Sequence, residues 1–145
     1  MSSIYVLNGP NLSRLGSREP DVYGTTTWDE LSASLTAAAL EGETIDVRQT
    51  NDESELIGWL HEAIDTKSDV ILNPAAFTHY SYALRDAAAM VTASGRALIE
   101  VHISNPYARE EFRHTSVISA VATGVIAGFG VNSYHVALAA LRSRR

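Results

Sequence analysis

Three short segments concentrate the side chains able to move protons. Glu100-Val101-His102 sets a carboxylate and an imidazole two residues apart in an apolar run. On a strand such positions share a face, so the carboxylate can orient the ring and favour its protonated form. A Glu inside an apolar strand is costly unless paired, which makes the same pairing an energetic expectation. Ile103, Ser104 and Asn105 follow directly. The second segment, residues 73–81, holds Asn73, Thr78 and His79. Thr78 is expected to cap a following helix, whose free N–H groups would suit a carboxylate or hydroxyls. His79 is expected either to hydrogen-bond a ligand or to cap that helix. The third segment, residues 8–24, carries Asn8, Asn11, Arg14, Arg18 and Tyr23, with the arginines near Gly16 and Pro20. It reads as a lid closing over an anion or as a solvated surface loop. Tyr23 is either a packing residue or a base. A phenol ordinarily titrates at about 10, and a nearby guanidinium favours the phenolate. Arg109 and Arg113, four apart, are expected on one helical face, at the site or in a salt-bridged turn.

These segments need elements to hold them, and strand and helix patterns alternate along the chain. Apolar runs at 4–7, 44–49, 69–72, 97–101 and 124–129 read as strands. Spacings of three and four place helices at 28–41, 53–66, 79–93 and 131–142. Thr25-Thr26-Thr27 offers caps, Asp29 and Glu30 suit a first turn, and Gly42 ends the first of these helices. Five strands separated by helices predict an α/β fold: a flavodoxin-like three-layer sandwich with a five-stranded parallel sheet, order 2-1-3-4-5. In such a sheet ligands bind beyond the carboxyl ends of the strands. All three polar segments follow strands that would be neighbours, so they are expected to converge on one rim. The connections 8–25 and 102–116 are long, as functional loops usually are.

The 145 residues fit one domain, 1–145, taken as a single catalytic domain. There is no cysteine, which excludes disulfides, thiolate metal sites and a cysteine nucleophile. The net charge of −6 disfavours nucleic acid as a partner. No apolar stretch is long enough to span a membrane, and residues 1–3 lead straight into a strand without a basic leader. A cytoplasmic location is expected. No metal-binding spacing joins His79, His102 and Asp86, so no metal is expected. Residues 8–16 lack the phosphate loop a flavin or nucleotide module needs. Asn8 and Asn73 stand where a receiver-like interaction domain needs acids. Ten of the eleven cations are Arg, and the only Lys is Lys67. Lys67 falls near the amino end of the third strand, opposite the rim.

Taken jointly, the segments resemble the type II 3-dehydroquinate dehydratases, or type II dehydroquinases. The resemblance rests on Leu7-Asn8-Gly9-Pro10-Asn11-Leu12 with Arg18-Glu19-Pro20 and Tyr23-Gly24. It rests also on Asn73-Pro74 with Thr78-His79 and Ala83-Leu84-Arg85-Asp86-Ala87, and on Glu100-Val101-His102-Ile103-Ser104-Asn105 with Arg109-Glu110-Glu111-Phe112-Arg113. Gly128-Phe129-Gly130 before the last helix completes a likeness over about residues 4–141. It implies a reversible trans-elimination of water from 3-dehydroquinate to give 3-dehydroshikimate through an enolate, with no cofactor, in the shikimate pathway of aromatic amino acid biosynthesis. Tyr23 would be the base, aided by Arg18. Asn11 would hold a water against the enolate oxygen, and His102, oriented by Glu100, would protonate the departing hydroxyl. Asn73, His79 and Arg113 would hold ring hydroxyls, and Ile103 and Ser104 the substrate carboxylate. Asp86 would reach the site of a neighbouring subunit in a homododecamer, a tetramer of trimers. The chain departs from the family pattern at Ala75-Ala76 and Ser133, where glycines are common. The unrelated type I enzymes use a lysine imine, for which Lys67 is misplaced.

Overall fold

In the computed structural model, which describes residues 2–144, the expected strands pair in one parallel sheet. They are β1 (Ser2–Asn8), β2 (Glu43–Gln49), β3 (Asp69–Asn73), β4 (Leu98–His102) and β5 (Gly124–Ala127). Their order is β2-β1-β3-β4-β5, the flavodoxin-like arrangement read from the sequence. The helices are α1 (Pro20–Tyr23), α2 (Trp28–Ala37), α3 (Glu53–Asp65), α4 (Tyr82–Ala93) and α5 (Asn132–Ser143).

Strand alternation divides the apolar residues between two cores. Ile4, Val6, Ile71, Ile99 and Val101 pack with Leu31 and Leu35 of α2 and with Tyr134, Leu138 and Leu141 of α5. Tyr5, Leu7, Val70, Leu72 and Leu98 face the other way, onto Leu56 and Leu60 of α3 and Leu84 and Val91 of α4. This is the three-layer sandwich, with sheet strands buried on both faces. Among the described residues no helix is long and apolar enough to cross a membrane.

The helix starts follow local chemistry. Thr27 and Glu30 form a reciprocal capping box at α2, each bond 3.1 Å. Asp52 accepts from Ser54 N at α3, 2.9 Å, and Ser81 from Leu84 N at α4, 3.0 Å. Two expected helices are shorter than their sequence pattern. The first stops at Ala37, and the chain turns into β2 through Gly42 at φ 78°. The third, expected from 79, begins at Tyr82 with Ser81 as its cap, and His79 ends a separate 3-10 turn, Ala75–His79. Thr78 is therefore not the cap expected of it, and lies buried.

The carboxyl ends of β1 and β3 are held in close register, with Asn8 opposite Asn73. Gly9 N donates to Asn73 O, 2.8 Å. A Cβ on Gly9 would stand 2.6 Å from Pro74 O, so only glycine allows this approach. Ala75 and Ser133, where the resemblance leads one to expect glycine, each have a visible structural effect. Ala75 sits at φ 52°, a left-handed conformation that costs a non-glycine residue about 1–2 kcal/mol. Its N–H is held by Asn73 Oδ1 at 3.0 Å. Ser133 is fully buried, and its hydroxyl accepts from Phe129 N at 3.1 Å, a bond that a glycine cannot make. Gly9→Ala should lower folding stability by about 1–3 kcal/mol, read as a lower urea midpoint. An unchanged midpoint would mean that the two strand ends can separate without cost.

Candidate active site

The polar segments do converge beyond the carboxyl ends of β1, β3 and β4. A cavity of about 170 Å³ is lined by Asn11, Arg18, Tyr23, Asn73, His79, His102, Ile103, Ser104, Arg109 and Arg113, with Pro10, Leu12, Ala75, Ala76 and Pro106 between them. Every residue expected to touch a ligand within the chain is in this wall. Asn8 and Arg14 are not. Asn8 lies buried behind Asn73, while Arg14 is exposed. Asp86 is also outside, on the exposed side of α4, where Arg85 donates to it at 3.0 Å.

The expected pair on β4 is made. His102 Nε2 donates to Glu100 Oε2 at 2.5 Å. A carboxylate only accepts, so Nε2 carries the hydrogen and Nδ1 is the nitrogen left for proton exchange. Glu100 is 1% exposed. Three hydroxyls complete its surroundings. Ser119 Oγ donates to Oε1 at 2.7 Å, Thr78 Oγ1 to Oε2 at 3.1 Å, and Ser116 Oγ reaches both oxygens at 3.1–3.2 Å. Ser116 is itself held by accepting from Ile118 N and Ser119 N, both 3.1 Å. Burial pushes the Glu100 carboxyl up, but the bonds from His102, Ser119 and Thr78 outweigh it and hold the group below the usual carboxylate range. The carboxylate is thus a fixed negative charge behind the ring.

His79 lies in the opposite electrostatic situation. Its Nδ1 donates to Thr115 O at 2.8 Å. Burial pushes the imidazole below the usual histidine range; the bond to Thr115 opposes this, while His102 and Arg113 add to it. His79 is therefore neutral near pH 7, with Nε2 available as an acceptor. The capping alternative for His79 does not hold, since Ser81 takes that role, and the ring lines the cavity instead.

Tyr23 ends α1, which Pro20 starts at its first turn and Gly24 closes at φ 80°. Its ring lies against the core, 8% exposed. Two guanidinium groups stack on it, Arg18 at 4.3 Å and Arg109 at 5.2 Å from the ring centre. Arg109 also donates to Ser104 Oγ at 3.1 Å, and Arg113 Nε to Glu110 at 2.8 Å. The single helical face expected for Arg109 and Arg113 is absent. Arg109 has extended backbone between the 3-10 turns Pro106–Ala108 and Glu111–His114. The pair reaches one cavity because that break turns both inward.

Sequence reasoning missed the roles of Arg109, Ser116 and Ser119. The need for donors around Glu100 was legible, but which of many hydroxyls would answer it was not. Lys67 lies between α3 and β3, at the sheet's amino end and away from the cavity.

Comparison with known proteins agrees with this geometry. Residues 2–142 match the family model described as dehydroquinase class II. The chain is 57% identical to the 3-dehydroquinate dehydratase of Salinispora tropica, over 97% of each chain. It is 58% identical to that of Mycobacteroides abscessus, over 94% of this chain and 93% of the relative. It superposes on the crystal structure of the type II dehydroquinase from Propionibacterium acnes with a TM-score of 0.93 at 51% identity, covering 99% of this chain and 97% of the other.

Removing one donor from Glu100 tests its cradle. Because the carboxyl is held below its unfolded value, its contribution to stability is complete above the ordinary carboxylate pKa of about 4.3 and is lost as pH falls through the folded value. Ser119→Ala raises the folded value. The variant should lose about 1.5–3 kcal/mol at pH 7 and less at pH 3, on the acid side of the ordinary carboxylate pKa, where proton uptake begins to remove the charge. Denaturant titrations at the two pH values check this; an equal loss at both would show that the hydroxyl does not act on the charge.

Proposed function

The chain belongs to the class II dehydroquinase family and dehydrates 3-dehydroquinate in the shikimate pathway, and from that premise we propose that Tyr23 and His102 divide its two proton transfers. The observation that carries this reading is their shared cavity with contrasting partners: two guanidinium groups on Tyr23, a buried carboxylate behind His102. Titratable groups held in opposed environments are the signature of a separate base and acid.

The proton beside a ketone is weakly acidic, so its removal needs a strong base and a stabilised product charge. Tyr23, as phenolate compensated by Arg18, takes that proton, and the electron pair moves onto the ketone oxygen. Asn11 holds a water against that enolate oxygen. The enolate then expels the ring hydroxyl, and His102 Nδ1 supplies the proton with which it leaves as water. Glu100 balances the positive charge of the ring before the transfer and fixes its orientation throughout. Tyr23 is then a phenol and His102 neutral, and exchange with solvent restores both. Asn73, neutral His79 and Arg113 hold ring hydroxyls, and the Ile103 backbone with the Ser104 hydroxyl holds the carboxylate. Arg109 keeps Ser104 and Tyr23 in mutual register.

The same reading makes the working unit a cytoplasmic homododecamer of four trimers in which Asp86 serves a neighbouring site. Asp86 is solvent-exposed on α4, and Tyr80, Tyr82 and Met90, on and beside that helix, are exposed apolar side chains of the kind an interface covers.

Tyr23→Phe keeps the ring stacked but removes the base. Its turnover should fall about 10²–10⁴-fold, followed by the ultraviolet absorbance of the conjugated enone with EDTA present throughout. Near-normal turnover would remove Tyr23 from the chemistry, and wild-type activity lost only with EDTA would bring in a metal. Sedimentation should give twelve chains, and Asp86→Ala should fold yet lose activity; a fully active monomer would sink the shared site.

A further inference from the structure

Tyr134 is the largest fully buried side chain, and the proton transfers do not use it. It comes from α5 and meets the sheet where β1 and β3 end. Its hydroxyl donates to Asn8 Oδ1 at 2.6 Å and accepts from Asn73 Nδ2 at 2.8 Å. We propose that Tyr134 is a positioning residue, whose buried phenol decides which atom of Asn73 is offered to the substrate.

The direction of each bond in this chain is forced. Asn8 Nδ2 donates to the Arg48 carbonyl of β2 at 3.0 Å and to Val6 O at 3.3 Å, so Asn8 turns its oxygen to the phenol. The phenol has one hydrogen and gives it to that oxygen. It can then only accept, so Asn73 must present Nδ2. The Asn73 oxygen is taken from the other side by Ala75 N at 3.0 Å. A flipped carboxamide would set N–H against N–H at Ala75 and oxygen against oxygen at Tyr134, with no water in reach of a fully buried hydroxyl. Burial also pushes the Tyr134 phenol far above its ordinary value, so it stays protonated and takes no part in proton transfer. The second N–H of Asn73 is therefore a fixed donor in the cavity wall. A substrate hydroxyl meets it as an acceptor, while His79 Nε2 remains for a hydroxyl that donates. The same carboxamide holds the left-handed turn at Ala75, so Tyr134 steadies the cavity floor through Asn73 as well.

This inference rests on the reading of Asn73 as a substrate ligand, and a kinetic cycle separates the two. Tyr134→Phe keeps the ring and deletes the hydroxyl. KM for 3-dehydroquinate should rise about tenfold, the worth of one hydrogen bond. kcat should change less than about threefold on the same scale, and the pH profile should not move. Combining Tyr134→Phe with Asn73→Ala should give a KM no higher than Asn73→Ala alone, because one variant acts through the other. Leu138→Val, a turn further along α5 in the same core, should leave KM at the wild-type value although it lowers stability. Should Tyr134→Phe not fold, Asn8→Ala opens the chain from its other end and should raise KM alike. A wild-type KM in the folded variant, or independent multiplication of the two effects, would overturn the positioning role. A wild-type KM in Asn73→Ala would instead overturn the ligand reading beneath it.

Discussion

A carboxylate buried in an apolar strand must be surrounded by donors or give up its charge, and Glu100 imposes that condition on the functional end of this molecule. Losing partners around a buried charge costs several kcal/mol. The chain meets the condition with four groups from three places: His102 on the same strand, Thr78 after β3, and Ser116 and Ser119 on the long connection to β5. Those bonds draw the connection back over the sheet end. They bring Thr115 to His79 and leave Arg109 and Arg113 facing the cavity. The loop structure follows from satisfying one charge.

The economy of charge in the cavity follows the same logic. Glu100 is held ionised first by His102 and then by the Ser119 and Thr78 hydroxyls, with no arginine beside it. The cations gather at the other side, on Tyr23. Between them His79 stays neutral, kept so by burial and by its neighbours' positive charge. A cationic end and an anionic end are the polarity that the proposed proton abstraction and loss of water require. Arginine suits the positive end because its planar cation stacks on a ring and does not titrate.

Beneath the cavity the chain accepts local strain and answers it. The left-handed Ala75 costs energy that a glycine would not, and Asn73 returns part of it through the Ala75 N–H. The close approach at Gly9 needs the absence of a side chain. Both lie where β1 and β3 end, the place at which a doubly wound sheet opens its binding crevice.

Much of this was legible along the chain. Apolar runs alternating with helical spacings placed the five strands and their order, Thr25-Thr26-Thr27 offered the cap of α2, and the two-residue spacing of Glu100 and His102 placed them on one face, because strand and helix geometry is periodic and local. The motifs carried the family, since residues close in sequence keep their spacing in any fold. Local pattern failed where distant segments compete. Thr78 reads as a cap by type and position, yet Glu100, twenty-two residues on, takes its hydroxyl. Arg109 and Arg113 read as one helical face, yet the extended backbone at Arg109, between two 3-10 turns, divides it. Tyr134 reads as one apolar stripe residue among several, and only the packing of α5 on the sheet sets its hydroxyl between Asn8 and Asn73, 126 and 61 residues away. The sequence by itself determined the strand order and so the shared rim, the residue types on it and the absence of thiol or lysine chemistry there. Tertiary structure alone decided which hydroxyls hold Glu100, which nitrogen of His102 is free and which way Asn73 faces, because a hydrogen bond's direction depends on what both partners have already given elsewhere.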